Sequence, residues 1–403
     1  MFKRIIKYAI KCFGLFEVLA YVTDRRIKPQ IKTIKILTAI VFIHIANLGS
    51  LHSFSQNKSA KELASVSTIA RVADKVDIDS IREASSHVYK ISRAKKMIEP
   101  YMGKYIAIVD GHELTVSDYC KCSHCRRRKL KTKNGSIKYQ YYHSFSALIL
   151  AGDKYSFVLD IEPIAPGESE VTSAYRLIKR VCQNYPKAFK VLIGDALYLN
   201  AKIFKLLESH HKYAMAVLKE ERRQLFEEAN KLSLLSKPEI YQDSKTTYRV
   251  WDHTIGGCWD GYGRNVRVIV SEETTIKRVH SKDGKSWEQK SVVCNWMWVT
   301  NITGSSLGDL KNTVKICHSR WQIENKCFNE TVGTWKADHI YRHSKNAIIA
   351  FLLLLFICVN IFNIFCARNI KDKKIKTKVY LIAQIKAEFY SLKRPLALVP
   401  IPI

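Results

Sequence analysis

The stretch KYIAIVD, residues 104–110, decides the fold, because four apolar residues lead into a carboxylate that a glycine follows. A short apolar run that ends at a turn residue is typical of a buried strand. The stretch AFKVLIGDALY, residues 188–198, has the same form and carries Asp195. Buried carboxylates normally need a cation, so Asp110 and Asp195 are candidate metal ligands. Asp next to Gly is also common in turns after strands, so neither residue decides the function alone.

The segments around these two strands predict a mixed sheet. They are an antiparallel hairpin (139–150 and 154–164, with its turn at 151–153), a helix (168–185), the strand before Asp195, a helix (200–213) and a strand (214–219). This order predicts an α/β fold with a ribonuclease-H-like mixed sheet flanked by helices, although other α/β folds can produce it.

Composition and periodicity predict three regions. Residues 1–100 form a helical region, either DNA-contacting or purely supporting. Residues 101–370 form the α/β domain, with a β-rich insertion at about 240–302. Residues 371–403 form a basic tail.

The charge of the chain indicates a polyanionic partner. Lys and Arg number 66 against 36 Asp and Glu, a formal net charge of +30 that is spread along the whole sequence. This distribution favours nucleic acid over a merely solvated basic surface. The basic run at 125–133 is a candidate phosphate contact, with a solvated loop as its alternative.

The apolar stretch at 347–367 has the length of a membrane span. Its flanks are basic on both sides, and Asn360 and Asn363 interrupt it. These features favour a buried core helix over a membrane anchor.

A third carboxylate lies in HSRWQIENKCFNE, residues 318–330. Arg320 and Glu324 are four residues apart, on what is predicted to be one helix face. Glu324 is a candidate metal ligand and Arg320 a candidate phosphate ligand. The alternative is an ordinary surface ion pair, which the neighbouring Trp321 and Ile323 disfavour because they indicate partial burial.

The motifs IVDGHE (108–113), IGDALY (193–198) and RWQIE (320–324) together resemble the DDE insertion-sequence transposases of the family named for insertion sequence four, which carry a Tyr-Arg-Glu-Lys signature. The resemblance covers about 104–350 and places the β-rich insertion between the second Asp and the Glu. It implies that Asp110, Asp195 and Glu324 hold two Mg²⁺ or Mn²⁺ ions. It also implies hydrolysis at the ends of a mobile element by metal-activated water, then attack of the freed 3′-hydroxyl on target DNA, often after a hairpin intermediate.

The same resemblance implies the partners and the location. The partners are terminal inverted repeats, target DNA and a second copy of the chain in a synaptic complex, without a membrane. The location is the nucleoid in the cytoplasm of a prokaryote.

The signature Tyr and Lys positions hold Cys317 and Thr331. Lys326 and Lys336 are therefore candidate phosphate ligands beside Arg320. A decayed transposase relic, or a membrane-anchored basic protein without activity, is the alternative function.

Other residue sets carry further chemistry. Cys120, Cys122 and Cys125 lie close to His124, and His112 or His143 would complete a zinc site after folding. A loop of free, reduced thiols in a cytosolic protein is favoured over zinc.

Alternative carboxylates near the proposed metal site are Glu113, Glu162 and Glu170. Trp296 and Trp298 are candidates for stacking on a flipped base, with a core position as the more common role for a strand Trp.

Overall fold

The computed structural model describes residues 1–56, 63–280, 286–304, 307–371 and 377–399. Its helices are α1 (Phe2–Phe13), α2 (Leu15–Leu19), α3 (Thr33–Ile45), α4 (Leu51–Ser55), α5 (Val66–Ala73), α6 (Ile78–Ala94), α7 (Glu170–Asn184), α8 (Ala201–Ser209), α9 (Arg223–Leu235), α10 (Leu310–His318), α11 (Asn329–Trp335), α12 (Lys345–Asn369) and α13 (Lys378–Ser391). Its strands are β1 (Ile106–Glu113), β2 (Arg126–Lys131), β3 (Ile137–Tyr142), β4 (Ser144–Leu150), β5 (Phe157–Pro163), β6 (Val191–Gly194), β7 (Tyr213–Val217), β8 (Glu239–Asp243), β9 (Thr246–Ile255), β10 (Val266–His280) and β11 (Trp287–Thr300).

The chain forms two compact units. The first contains Met1–Lys104, Val109–Tyr185 and Gln322–Ile403, and the second contains Tyr105–Ile108 and Pro186–Trp321. Strand β1 therefore starts in the second unit and ends in the first. The predicted division at residue 100 is not tested by this arrangement and stays a prediction.

In the first unit, the strand order is β5, β4 and the end of β1. Strands β4 and β5 pair antiparallel, as the sequence predicts for this hairpin, with a register shift after Leu148. Helix α7 packs on both strands. Strands β2 and β3 form a separate two-stranded antiparallel ribbon.

In the second unit, the start of β1 pairs parallel with β6, and β6 pairs parallel with β7. Strands β11, β10, β9 and β8 continue the sheet antiparallel. These four strands lie where the sequence predicts a β-rich segment. The mixed sheet with its flanking helices is compatible with a ribonuclease-H-like transposase fold.

Helix α12 is buried along nearly its whole length, from Ala347 to Cys366. Within the described residues, it has the length and hydropathy of a bilayer-spanning helix. It packs against α3, α6 and β5 of the same unit, and Trp335 makes an edge contact with Phe362. An apolar helix covered on all sides in this way is a core helix.

The polar residue Asn360 within the apolar helix α12 binds the backbone of β5. Its Oδ1 accepts from Val158 N at 3.0 Å, and its Nδ2 donates to Val158 O at 2.8 Å. Val158 follows the register shift between β4 and β5, where Ile149 pairs with Val158 and Leu148 with Asp160. The Asn360 amide therefore satisfies a strand residue beside the irregularity.

We expect Asn360→Leu to lower the free energy of unfolding by about 3 kcal/mol, because the backbone N–H and C=O of Val158 would both lose a buried partner. Urea denaturation measures this change. The matched control is Asn363→Leu, since the buried Oδ1 of Asn363 has no hydrogen-bond partner among the described residues. Equal losses in the two variants would contradict the assigned role of Asn360.

Candidate active site

Asp110 lies in β1 at the point where burial ends. Residues 106–109 are buried, whereas Asp110 and the three residues after it are half-buried. The sequence predicts that the strand ends at the aspartate, but it runs on to Glu113. This part of the prediction is wrong, because a fall in hydrophobicity marks exposure rather than a break in strand pairing. Asp110 Oδ1 accepts from the N–H of Gly111 at 2.9 Å.

A second carboxylate lies against Gly111, the residue after Asp110. A Cβ at position 111 would lie 2.1 Å from Oε2 of Glu170, so the missing side chain leaves room for this carboxylate. Glu170 is the first residue of α7, whose N-cap Ser169 accepts from Thr172 N. A helix N-terminus favours negative charge, which suits a carboxylate at this position. Of the three alternative carboxylates, Glu170 is the one that lies against Gly111, the residue after Asp110.

Glu324 lies in a π-helical segment, Ile323–Phe328, and is half-buried. The sequence predicts one regular helix that carries both Arg320 and Glu324. That prediction is wrong, because α10 ends at His318, Arg320 lies in the following turn, and the π-helix begins at Ile323. Short π-helical segments are rare and occur often at functional sites.

Aromatic packing brings the strand of Asp110 to the segment of Glu324. The His112 ring stacks on Phe328 with centroids 4.5 Å apart, and Phe145 of β4 contacts both rings edge-on. His112 follows Asp110 by two residues, and Phe328 ends the π-helix. The first unit thus holds the Asp110 strand and the Glu324 helix against each other.

Polar contacts fix the same π-helix to the turn between β4 and β5. Gln322 Oε1 accepts from Gly152 N at 3.2 Å. Lys326 Nζ donates to the carbonyl oxygens of Gly152 and Asp153 at 2.8 and 2.9 Å. Burial lowers the pKa of Lys326. Lys326 therefore has a clear positioning contact in addition to any role toward DNA.

Asp195 follows β6 in the second unit and caps a short 3₁₀ helix, Ala196–Tyr198. Its Oδ1 accepts from Leu197 N at 2.8 Å. The register of β1 and β6 pairs Ile108 with Ile193. Asp110 follows Ile108 by two residues, and Asp195 follows Ile193 by two residues.

Gly194 permits the tight turn that carries Asp195. A Cβ at position 194 would lie 2.6 Å from both Cβ and Cγ of Tyr198, which is buried. Tyr198 thus packs directly against the backbone before Asp195.

We expect Gly194→Ala to lower the free energy of unfolding by about 2 kcal/mol, because overpacking would force Tyr198 and the turn apart. Thermal denaturation measures the change. Gly261→Ala is the control, since a Cβ there would meet Ala201 Cβ at an ordinary 3.7 Å. The packing argument fails if both alanine variants melt like the unmodified chain.

A family model described as a transposase DDE domain matches residues 101–361. The chain belongs to this family. The matched residues contain Asp110, Asp195 and Glu324 and make up more than half of the chain. DDE transposases act on DNA, and they generally use divalent metal ions. A search of curated proteins finds no match.

The two positions that depart from the Tyr-Arg-Glu-Lys transposase signature are both in the protein interior. Cys317 is buried and its Sγ lies 3.3 Å from Sδ of Met215. Thr331 is buried, and its hydroxyl donates to the carbonyls of Cys327 and Phe328. Neither side chain is placed to contact a phosphate. Lys336, by contrast, is exposed and lies at the C-cap of α11.

The other acidic residues near the transposase site are paired with arginines. Glu113 binds Arg128 at 3.1 Å, and Glu162 binds Arg176 and Arg180 at 3.0 and 2.7 Å. Their charges are already compensated by protein cations.

The tryptophans of β11 differ in their burial. Trp298 is 1% exposed, so it has the core position that is the more common role for a strand Trp. Trp296 is half-buried and stacks on Trp298 with centroids 6.0 Å apart. Trp321, which sequence reasoning used only as a sign of burial, is 40% exposed and contacts Trp296 edge-on. Trp321 and Trp287, which is 64% exposed, therefore offer aromatic surface in this unit.

Proposed function

We propose that the protein is an insertion-sequence transposase of the Tyr-Arg-Glu-Lys branch. It cuts DNA at the terminal inverted repeats of its element and joins the freed 3′ ends to target DNA. The observation that carries the proposal is the packing of the Asp110 strand against the Glu324 π-helix, within residues that match a transposase DDE domain.

Asp110, Asp195 and Glu324 fit the divalent metal ions that this family uses. All three are half-buried carboxylates, and hard cations such as Mg²⁺ or Mn²⁺ prefer oxygen ligands. When bound, two such ions lower the pKa of a water nucleophile and offset the charge on the leaving oxygen. Glu170, which lies against Gly111, would support this set as a fourth carboxylate.

The remaining residues of the proposed site position the carboxylates and the DNA. Gln322 and Lys326 hold the π-helix, so that Glu324 keeps one orientation. The Lys326 ammonium uses two of its three donors on backbone carbonyls, which leaves one N–H for a phosphate. Arg320 and the exposed Lys336 are the other proposed phosphate ligands.

The charge of the chain suits this substrate. A formal net charge of +30 gives an electrostatic attraction to phosphates that does not depend on DNA sequence. We further propose that two copies of the chain pair in the synaptic complex, and that the protein acts at the nucleoid in the cytoplasm of a prokaryote.

A catalytically decayed transposase is the second candidate function. It is favoured by Cys317 and Thr331, because both residues are buried at positions where the signature has polar side chains. A relic would keep the fold and the affinity for DNA but would not cut it.

A strand-cleavage assay separates the two functions. The substrate is end-labelled duplex DNA that carries the sequences flanking the gene, incubated with the full chain with and without Mg²⁺. The active transposase gives nicks at the element ends only with the metal. Binding without cleavage, in Mg²⁺ and in Mn²⁺, identifies the relic.

A further inference from the structure

Four metal-ligating side chains converge in the first unit. They are Cys122, Cys125, His143 and His343, and their ligand atoms all lie within 4.8 Å of one another. His143 is buried and the two cysteines are half-buried. We propose that this cluster is a structural Zn²⁺ site.

Four of the six distances between the ligand atoms match the edges of a zinc tetrahedron. With Zn–S bonds of about 2.3 Å and Zn–N bonds of about 2.05 Å, tetrahedral geometry requires S···S of about 3.8 Å and S···N of about 3.6 Å. The two sulfurs are 3.7 Å apart. His143 Nε2 lies 3.4 Å from each sulfur, and His343 Nε2 lies 3.5 Å from Cys125 Sγ.

Interactions without a metal explain this convergence less well. A disulfide needs sulfurs about 2.05 Å apart, so Cys122 and Cys125 are two thiols. Hydrogen bonding alone would leave the single Nε2 of His143 shared between both thiols.

The chemistry of the donors selects zinc over the Mg²⁺ or Mn²⁺ of the carboxylates. Thiolate and imidazole ligands suit Zn²⁺, whereas Mg²⁺ takes oxygen. Two thiolates balance the charge of the ion. The backbone N–H of Cys122 donates to Cys125 Sγ at 3.2 Å, which further stabilises a thiolate. Four protein ligands close the coordination shell, as in structural rather than catalytic zinc sites.

The ligands lie at the base of the ribbon formed by β2 and β3. Cys125 directly precedes β2, and His143 directly follows β3. His343 precedes Ser344, the N-cap of the core helix α12. The ion would therefore fasten the ribbon to α12 at a point where the ribbon itself supplies little apolar surface.

The ribbon needs such an anchor because it is exposed and strongly basic. Strand β2 reads RRRKLK, and the last five of its residues are exposed. Arg126 and Arg128 lie over the Tyr142 ring, and Arg127 lies over Tyr139. A two-stranded ribbon without a core is marginally stable alone, so a metal at its base supplies the missing stabilisation.

The test is the metal content of the full chain after purification without added metal and without chelator. We expect about one zinc per chain and, after exchange with Co²⁺, the visible absorption of tetrahedral cobalt with thiolate ligands. Cys125→Ser and His343→Ala should each lose most of the metal. Cys120→Ser and His124→Ala are matched controls, because these two exposed neighbours lie outside the cluster and should keep it.

A measurement on the unmodified chain keeps the proposal testable if a variant fails to fold. Removal of zinc by a chelator should speed tryptic cleavage within residues 126–133, and added Zn²⁺ should restore protection. The proposal is overturned by a folded chain that neither contains zinc nor takes it up, or by control variants that lose zinc as fully as Cys125→Ser. It does not depend on whether the protein cuts DNA.

Discussion

Glu324→Gln is expected to reduce DNA strand cleavage by about 10³-fold or more, because metal ions supply several kcal/mol of transition-state stabilisation and an amide binds them poorly. The substitution keeps the size of the side chain and removes only its charge. DNA affinity and the melting temperature should change little. Asp110→Asn and Asp195→Asn should behave in the same way, since the three carboxylates are proposed to act as one unit.

The control for this prediction is Glu330→Gln, on α11. Glu330 is paired with Lys378 at 2.6 Å, so its carboxylate already has a protein partner. Cleavage by Glu330→Gln should stay within about twofold of the unmodified chain, as expected for a surface ion pair. The role given to Glu324 is wrong if its Gln variant cuts as fast as this control.

Asp160→Asn is expected to lower the free energy of unfolding by about 3 kcal/mol, because it removes the most buried counter-charge of two partly buried guanidinium groups. The Asp160 side chain is only 2% exposed. It lies 3.2 Å from Arg82 Nε and 2.7 Å from Arg180 Nε. Urea denaturation measures the loss.

Asp79→Asn is the matched control, because the Asp79 carboxylate binds the same Arg82 at 2.8 Å but is 80% exposed. Its effect should stay below about 0.5 kcal/mol, the range of exposed ion pairs. Equal stability of the two variants would show that the buried network does not hold β5 to α6 and α7.

The three aspartates that follow apolar runs, Asp110, Asp160 and Asp195, show what a sequence pattern predicts and what it does not. An apolar run that ends in Asp predicts a buried strand, and this holds for the runs before Asp110 and Asp195. The stretch FVLD, which ends at Asp160, has the same form, and its carboxylate binds arginines of α6 and α7. The partner of a carboxylate depends on packing between segments that are distant in sequence. A local sequence pattern therefore does not predict that partner.

The same limit applies to the other features that the sequence did not reveal. His343 lies 218 residues from Cys125, so no spacing rule connects them. The π-helix at Glu324 has no separate sequence period, because its extra residue per turn is set by packing of Gln322, Lys326 and Phe328 on β1, β4 and the turn after β4. Glu170 is one of three acidic alternatives in the sequence, and only the structure shows that it lies against Gly111.

We propose that Asp110, Asp195 and Glu324 hold the same metal ions. Iron-mediated backbone cleavage tests this proposal, because Fe²⁺ that replaces Mg²⁺ reduces added hydrogen peroxide to hydroxyl radicals, which cut the chain beside the iron ligands. The account predicts fragments that end near all three residues, all suppressed together by excess Mg²⁺ and by Glu324→Gln. Cuts near only one of the three residues, or cuts that Glu324→Gln leaves unchanged, would contradict it.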